Sequence, residues 1–413
     1  YSFRINIPGG VCRGFARPII KPELLTLPEL MKQNGYHTGM VGKWHLGIDY
    51  PLKPGADRKQ ETEKGMFALG GVIDWSKPCS GGPVDNGFDY YFGEDCINYG
   101  PFTYIENQKA VLVPTVRSES RKGGPTWTAP DFRSDEVLTK DTEKAVEYIQ
   151  RQSKTDQPCF LYFAQPSPHA PHAPSDAFKG KSGHGRYYDY VLQSDWSVGQ
   201  VVKAIDEAGI RDNTLIIFSS DNGTEVHGYE YNAEHPEYHV SGPLRGLKRD
   251  LWEGGHRVPF IVSWKGTIKP GQVSDDTVCV VDFMASFSEL VGAELPEDAG
   301  GDTMSILPAL LGTGRVDRTK KVPYIHNYGD DLAIRQGDWI YIDGKTGGVN
   351  RDKRTKSYLE RNGYEPHDFP GELFNLRQDL SQHDNLYAEY PEKVKQLADL
   401  LDKYRKTPGT VCR

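Results

Sequence analysis

Apolar positions along this chain come in blocks separated by polar turns. Leu215-Ile216-Ile217-Phe218 sets four large apolar residues in a row before Ser219-Ser220-Asp221-Asn222-Gly223. This predicts a strand buried on both faces of a parallel sheet, ending in a polar, acidic turn. Residues 159–163 predict a second such strand and residues 37–41 a third. Between them lie helical periods. Thr26-Leu27-Pro28-Glu29 forms a capping box with proline in the first turn, opening a short helix that Gly35 closes. Residues 140–152 predict another helix. Residues 188–208 predict a longer one, with Val191, Val198, Val201, Val202 and Ile205 on one face and Gly209 at its end. Residues 47–86, rich in Gly, Pro and Lys, read as an irregular surface insertion.

Alternating helices and buried strands predict an α/β fold, a large mixed and mostly parallel sheet sandwiched by helices. After Leu311-Gly312 the texture changes. Residues 333–342 read as two strands around a turn, and residues 391–406 as a helix with Val394, Leu397, Leu400 and Leu401 at helical spacing. The expected division is an α/β domain over 1–312 and a smaller C-terminal α+β subdomain, an antiparallel sheet plus a helix, over 313–413. A length of 413 residues also exceeds one typical core.

Composition narrows the partners. With 37% hydrophobic and 26% charged residues and a formal net charge of −8, the chain is no general binder of nucleic acid or anionic membrane. No apolar run approaches the roughly 18 residues of a membrane span. The cysteines at 12, 79, 96, 159, 279 and 412 show no CxxC spacing, hence no zinc or redox motif, and leave disulfide pairing open.

Four polar clusters fall at or just beyond predicted strand ends: Gly42-Lys43-Trp44-His45-Leu46-Gly47, Pro168-His169-Ala170-Pro171-His172-Ala173-Pro174, Asp221-Asn222-Gly223, and Gly246-Leu247-Lys248-Arg249-Asp250-Leu251-Trp252-Glu253-Gly254-Gly255. Each has a plain reading: Asn222-Gly223 as an ordinary turn, the His-Ala-Pro repeat as a stiff extended loop, a lysine after a strand as a solvated side chain. Jointly they suit a tetrahedral oxyanion held at the carboxyl edge of a sheet. Lysines and a divalent cation on the hard oxygens of Asp221 and Asn222 would neutralise it, and a histidine would protonate a leaving group.

In this order and spacing, the motifs resemble the sulfatase family of the alkaline-phosphatase superfamily. Glu372-Leu373-Phe374-Asn375-Leu376 and the stretch 333–339 resemble its C-terminal domain. The resemblance implies that Asp221 and Asn222 are metal ligands, normally around Ca²⁺. It implies that Lys43 and Lys248 hold sulfate oxygens, that His45 hydrogen-bonds the nucleophile, and that His169 assists the departing alcohol, with His172 a second candidate. Residues 87–93 match a further family stretch. A serine often follows that stretch, and Cys96 and Asn98 are the nearest matches here, which makes Asn98 the candidate substrate contact.

One departure stands at the front. The family begins with an apolar strand ending in two metal-binding aspartates, followed by Cys/Ser-x-Pro-Ser-Arg, whose first residue becomes the formylglycine nucleophile. Neither stretch is present. Cys12 lacks the Pro and Arg spacing, and Asp330-Asp331 precedes the C-terminal strands with no buried strand before it. The expectation is therefore a sulfatase sequence lacking about its first fifth, the nucleophile lying in that segment. The implied substrate is a small-molecule or carbohydrate sulfate ester, with tyrosines near 229–238 as sugar-stacking candidates. The implied location is periplasmic, extracellular or lysosomal. A phosphodiester or phosphonate ester hydrolase of the same superfamily, and a non-catalytic oxyanion binder, are the alternatives.

Overall fold

The cap at Thr26 forms as its sequence predicts. Its side chain accepts from the Glu29 amide while Glu29 reaches back to the Thr26 backbone, opening α1 (Leu27–Gln33). The computed structural model describes residues 4, 11–120, 124–225, 240–297, 299–316, 318, 322–348, 359–360 and 362–406. It divides the chain into two compact units, residues 7–214 and residues 215–413 with 1–6.

In the first unit, five strands line up as β4-β3-β2-β1-β7: β1 (His37–Gly42), β2 (Tyr90–Gly93), β3 (Ile105–Glu106), β4 (Lys109–Ala110) and β7 (Cys159–Ala164). The pairs β1–β2 and β1–β7 are parallel, and β3 and β4 add an antiparallel margin. A hairpin of β5 (Val116–Ser120) and β6 (Gly124–Thr128) stands apart from this sheet. Strand alternation sends Val41, Tyr90 and Phe92 to one face, where they pack with Ala145 and Tyr148. Those two belong to α4 (Val137–Gln152), and Tyr148 donates its hydroxyl to the His37 carbonyl at 2.9 Å.

Met40, Tyr91 and Phe160 point to the other face, and there one expectation fails. Residues 47–86 are no surface insertion. Ile48, Tyr50, Leu69, Ile73 and Cys79 are buried and form one core cluster with Met40 and Tyr91, and the stretch contains α2 (Arg58–Glu63) and α3 (Met66–Gly71). A few well-spaced apolar residues in a polar, Gly-rich segment are enough to cover a sheet.

The long helix α5 (Arg186–Glu207) keeps Ile205 buried and packs Val201 against the core as expected, but turns inward a wider, more polar face than its valines mark. Tyr190, Gln193, Ser197, Ala204 and Ile205 are buried, and Val191 is exposed. Its contact with α4 is polar and close, since Gln193 donates to Thr139 Oγ1 at 3.1 Å and Ser197 Oγ lies 2.6 Å from Thr142 Oγ1.

In the second unit, Leu215–Phe218 corrects the opening expectation. β8 (Ile216–Phe218) pairs antiparallel with β9 (Ile261–Ser263) in a separate two-stranded sheet. Phe218 and Ile261 are exposed, so this is not a doubly buried strand of the parallel sheet. An apolar run of four cannot by itself report which partner it finds.

The C-terminal strands do form as expected: β10 (Tyr324–Tyr328), β11 (Asp331–Gln336), β12 (Trp339–Asp343) and β13 (Glu372–Asn375) make an antiparallel sheet. Leu332, Ile334, Tyr341 and Leu373 face the helix Pro391–Lys406 through Val394, Leu397 and Leu401. Ala333, Ile340, Ile342 and Phe374 face the opposite way, onto Leu251 and Trp252. That second core explains why the expected boundary at 312/313 falls inside one compact unit. Asp330 and Asp331 sit at the β10–β11 turn, away from any buried strand end. No helix among the described residues is long and apolar enough to cross a membrane.

Candidate active site

The carboxyl ends of the three parallel strands carry the candidates of the first unit. Leaving β1, Gly42 adopts φ +101°, and a Cβ there would collide with the Ala164 carbonyl oxygen. Only glycine fits both the left-handed backbone and the close approach. Lys43 follows at once, its amide donating to that same Ala164 oxygen at 2.9 Å. Trp44 is buried and anchors the loop, its indole N–H donating to Gly47 O at 2.8 Å. His45 takes φ +54° and sets Nε2 2.6 Å from the Cys12 carbonyl. A carbonyl can only accept, so Nε2 carries the proton, and in the neutral ring Nδ1 does not.

β7 runs parallel to β1 with Ala164 opposite Gly42, which brings the loop after it beside Lys43. The loop is tied to α5 by Ser194 Oγ donating to Ser167 Oγ (2.7 Å) and by the Ser175 amide donating to Gln193 Oε1 (2.8 Å). His169 Nδ1 is 2.6 Å from the Ala170 carbonyl and so holds the proton. A proton passed to a leaving group would come from Nε2 of the imidazolium. His172 packs edge-on against Tyr187 at 5.2 Å. After β2, the buried Cys96 thiol donates to Asn98 Oδ1 at 2.7 Å.

The second unit joins the other two clusters. The Lys248 amide donates to Thr224 O at 2.6 Å, and the Gly223 amide to Gly255 O at 2.9 Å. Arg249 pairs with Glu225 through two contacts of 2.8 Å. Asp221-Asn222 and Lys248 therefore lie on two loops stitched together. Gly246 turns the chain with φ +94°. Gly223 serves by proximity instead: a Cβ there would run into the Gly254 carbonyl. Buried Trp252 fixes the loop from below, its indole donating to Glu372 Oε2 at 2.8 Å.

Asp221 is exposed, and Asn222 turns its amide nitrogen onto Gly223 O at 2.9 Å. Both are hard oxygen donors of the kind Ca²⁺ takes, but Ca²⁺ requires six to eight oxygens. Among the described residues no group of three or more His, Cys, Asp or Glu side chains could hold a metal ion. The donors fit Ca²⁺ in kind and fall short in number. The tyrosines and histidines of 226–239 lie outside the described residues. The cysteines at 12, 79, 96, 159 and 279 are free.

One feature of the site escaped sequence reasoning. Glu94 and Asp95, immediately after β2, are 0% and 3% exposed, and Asp141 on α4 is fully buried. Both carboxylate oxygens of Glu94 and of Asp141, and Oδ1 of Asp95, have no hydrogen-bond partner. Burial raises all three acids well above the usual carboxylate range. An acidic pair placed directly at a strand end was the available signal.

A mixed α/β sheet with polar loops at its parallel carboxyl edge in one unit, and a smaller antiparallel sheet and helix in the other, define an alkaline-phosphatase-like fold. Comparison with known proteins is consistent with it and more specific. Residues 9–293 match the Sulfatase family model. An N-acetylgalactosamine-6-O-sulfatase of Bacteroides thetaiotaomicron is 31% identical, across 96% of this chain and 80% of that protein. The human N-acetylgalactosamine-6-sulfatase is also 31% identical, across 74% of this chain and 51% of its own length. The chain thus spans about half the length of the human relative. A solved structure from work on glycosaminoglycan metabolism by B. thetaiotaomicron superposes with a TM-score of 0.81 at 27% identity, covering 98% of this chain and 87% of the other. The chain belongs to the sulfatase family, a family of sulfuric ester hydrolases.

Proposed function

We propose that this protein hydrolyses the sulfate ester of a sulfated carbohydrate, a 6-O-sulfated N-acetylhexosamine being the first choice. The observation that carries the reading is the parallel β1–β7 register, Gly42 opposite Ala164. It sets the lysine of Gly-Lys-Trp-His beside the histidine loop that follows β7. The choice of sugar rests on relatives named for N-acetylgalactosamine 6-sulfate that align with 96% and 74% of this chain.

In this reading Lys43 holds sulfate oxygens and His45 orients the attacking group. His169, protonated at both ring nitrogens, gives its Nε2 proton to the departing sugar alkoxide. Asn98 and His172 contact the sugar side. Lys248 holds sulfate oxygens, and Asp221 and Asn222 are Ca²⁺ ligands. Ca²⁺ and formylglycine, in the family, supply charge neutralisation and a hydrated-aldehyde nucleophile. The 413 residues contain no Cys/Ser-x-Pro-Ser-Arg stretch. A periplasmic, extracellular or lysosomal location accords with the family resemblance.

His169 supplies the test. An alkoxide needs a proton far more than a nitrophenolate does, and general acids contribute about 10²–10⁴-fold. His169→Ala should therefore lower kcat on a sugar 6-sulfate by about that factor and change nitrophenyl sulfate turnover much less. Equal losses on the two substrates would remove His169 from the acid role and leave His172 as the candidate.

A further inference from the structure

The buried acids after β2 lie directly behind the lysine loop. The Trp44 amide donates to Glu94 O at 3.0 Å and the His45 amide to Asp95 O at 2.9 Å, and Tyr91 donates its hydroxyl toward Gly42 O and Glu94 O, both at 3.2 Å. The backbone of Glu94-Asp95 thus forms the floor beneath Lys43 and His45. Its carboxyl groups are sealed from water and lack hydrogen bonds at three of their four oxygens. Isolated charges are not buried in this way without compensation. Lys43 is the cation whose charge opposes that burial cost on both carboxylates.

We propose that Glu94 and Asp95 are positioning residues for Lys43, a counter-charge behind the loop that makes the hold on sulfate depend on pH. This rests on the reading of Lys43 as a sulfate ligand. While the acids are protonated, the ammonium is left to the sulfate. Once one ionises, it competes with the sulfate for the same positive charge. Sulfate itself stays a dianion throughout, so the change belongs to the protein.

Among the described residues, charged and titratable groups face the pair from several elements. Asp95 meets Lys43, Glu94, Cys12, Tyr50, Cys79, Tyr91 and Cys96. Glu94 meets Lys43, Asp95, Asp141 on α4, Tyr91, Tyr104 and Tyr190 on α5. Burial places the tyrosines and Cys12, Cys79 and Cys96 above their ordinary ranges, which leaves them neutral near pH 7. Burial pushes the Asp95 carboxyl up to about 7, with Lys43 opposing. Glu94 is raised as well, by burial first, and a charge on it would raise Asp141 further. Ionisation of Asp95 therefore falls inside the range where the enzyme can be assayed. His45, whose amide bonds the Asp95 carbonyl, lies against the pair, so the carboxyl is isolated by substitution.

The experiment is calorimetric titration of the protein with inorganic sulfate at pH 6 and pH 8, for the wild type, Asp95→Asn, Glu94→Gln and Lys43→Ala. The wild type should lose affinity on going to pH 8 by about tenfold more than Asp95→Asn does, the equivalent of one pKa unit. Glu94→Gln should also flatten the profile. Equal pH dependence in the wild type and both amide variants would overturn the proposal. Each amide is isosteric, and thermal melting checks the fold. An amide variant that fails to fold would show that its carboxyl has a structural partner, and would overturn the proposal too. Lys43→Ala separates the two levels. Loss of sulfate binding at both pH values supports the reading beneath. Binding that survives in Lys43→Ala refutes that reading, whatever the amides do.

Discussion

Gly42 is the single residue on which the geometry around Lys43 depends most. Its φ of +101° lies where L side chains are strained, and the Ala164 carbonyl occupies the place of a Cβ. Gly42→Ala should cost about 1–3 kcal/mol or more. Gly199, inside α5 with open space around it, is the opposite case. Gly199→Ala should stabilise by about 0.5–1 kcal/mol through helix propensity. Urea unfolding midpoints for the two variants check both signs, and a stabilised Gly42→Ala would mean the β1 exit is not held as described. At this scale the sequence displayed Gly-Lys-Trp-His-Leu-Gly plainly, because glycines around polar residues after a strand are a local pattern. It did not display that Glu94 and Asp95 are buried. Burial of an acid is decided by what folds over it, here residues distant in the chain.

Among elements, the same division holds. α1, the β11–β12 hairpin and the C-terminal helix were legible, since a capping box, a Gly-Asp turn and leucines at helical spacing are all short-range signals. The placement of β8 and the polar part of the inward face of α5 were not, because strand pairing and polar helix packing are settled by partners far off in sequence. α1 gives the measurable example. Thr26 accepts from the Glu29 amide at 3.3 Å and also donates to Asn86 O at 2.8 Å, linking the helix to the segment before β2. Thr26→Ala should cost about 0.5–2 kcal/mol, and Thr26→Ser should restore most of it. Chemical denaturation of the three proteins checks this, and an unchanged midpoint in Thr26→Ala would show the cap to be idle.

For the whole molecule, the central claim is chemical: a sulfatase-family chain, proposed to act on a sulfated sugar. The class was readable because motif order along the chain survives even where strand placement is misjudged. The substrate was less so, since sugar contacts come from loops whose sequence obeys no simple pattern. A phosphate monoester offers the same tetrahedral shape with a protonation state that varies near neutrality, so it is the sharpest competitor. The most direct measurement follows the release of inorganic sulfate and inorganic phosphate by the native protein, from N-acetylgalactosamine 6-sulfate and N-acetylgalactosamine 6-phosphate side by side. The account predicts sulfate release with a kcat/KM at least about a hundredfold above that for phosphate, a difference of about 2.7 kcal/mol in transition-state binding. Preferential release of phosphate, or turnover of neither sugar while another sulfate ester is cleaved, would contradict it.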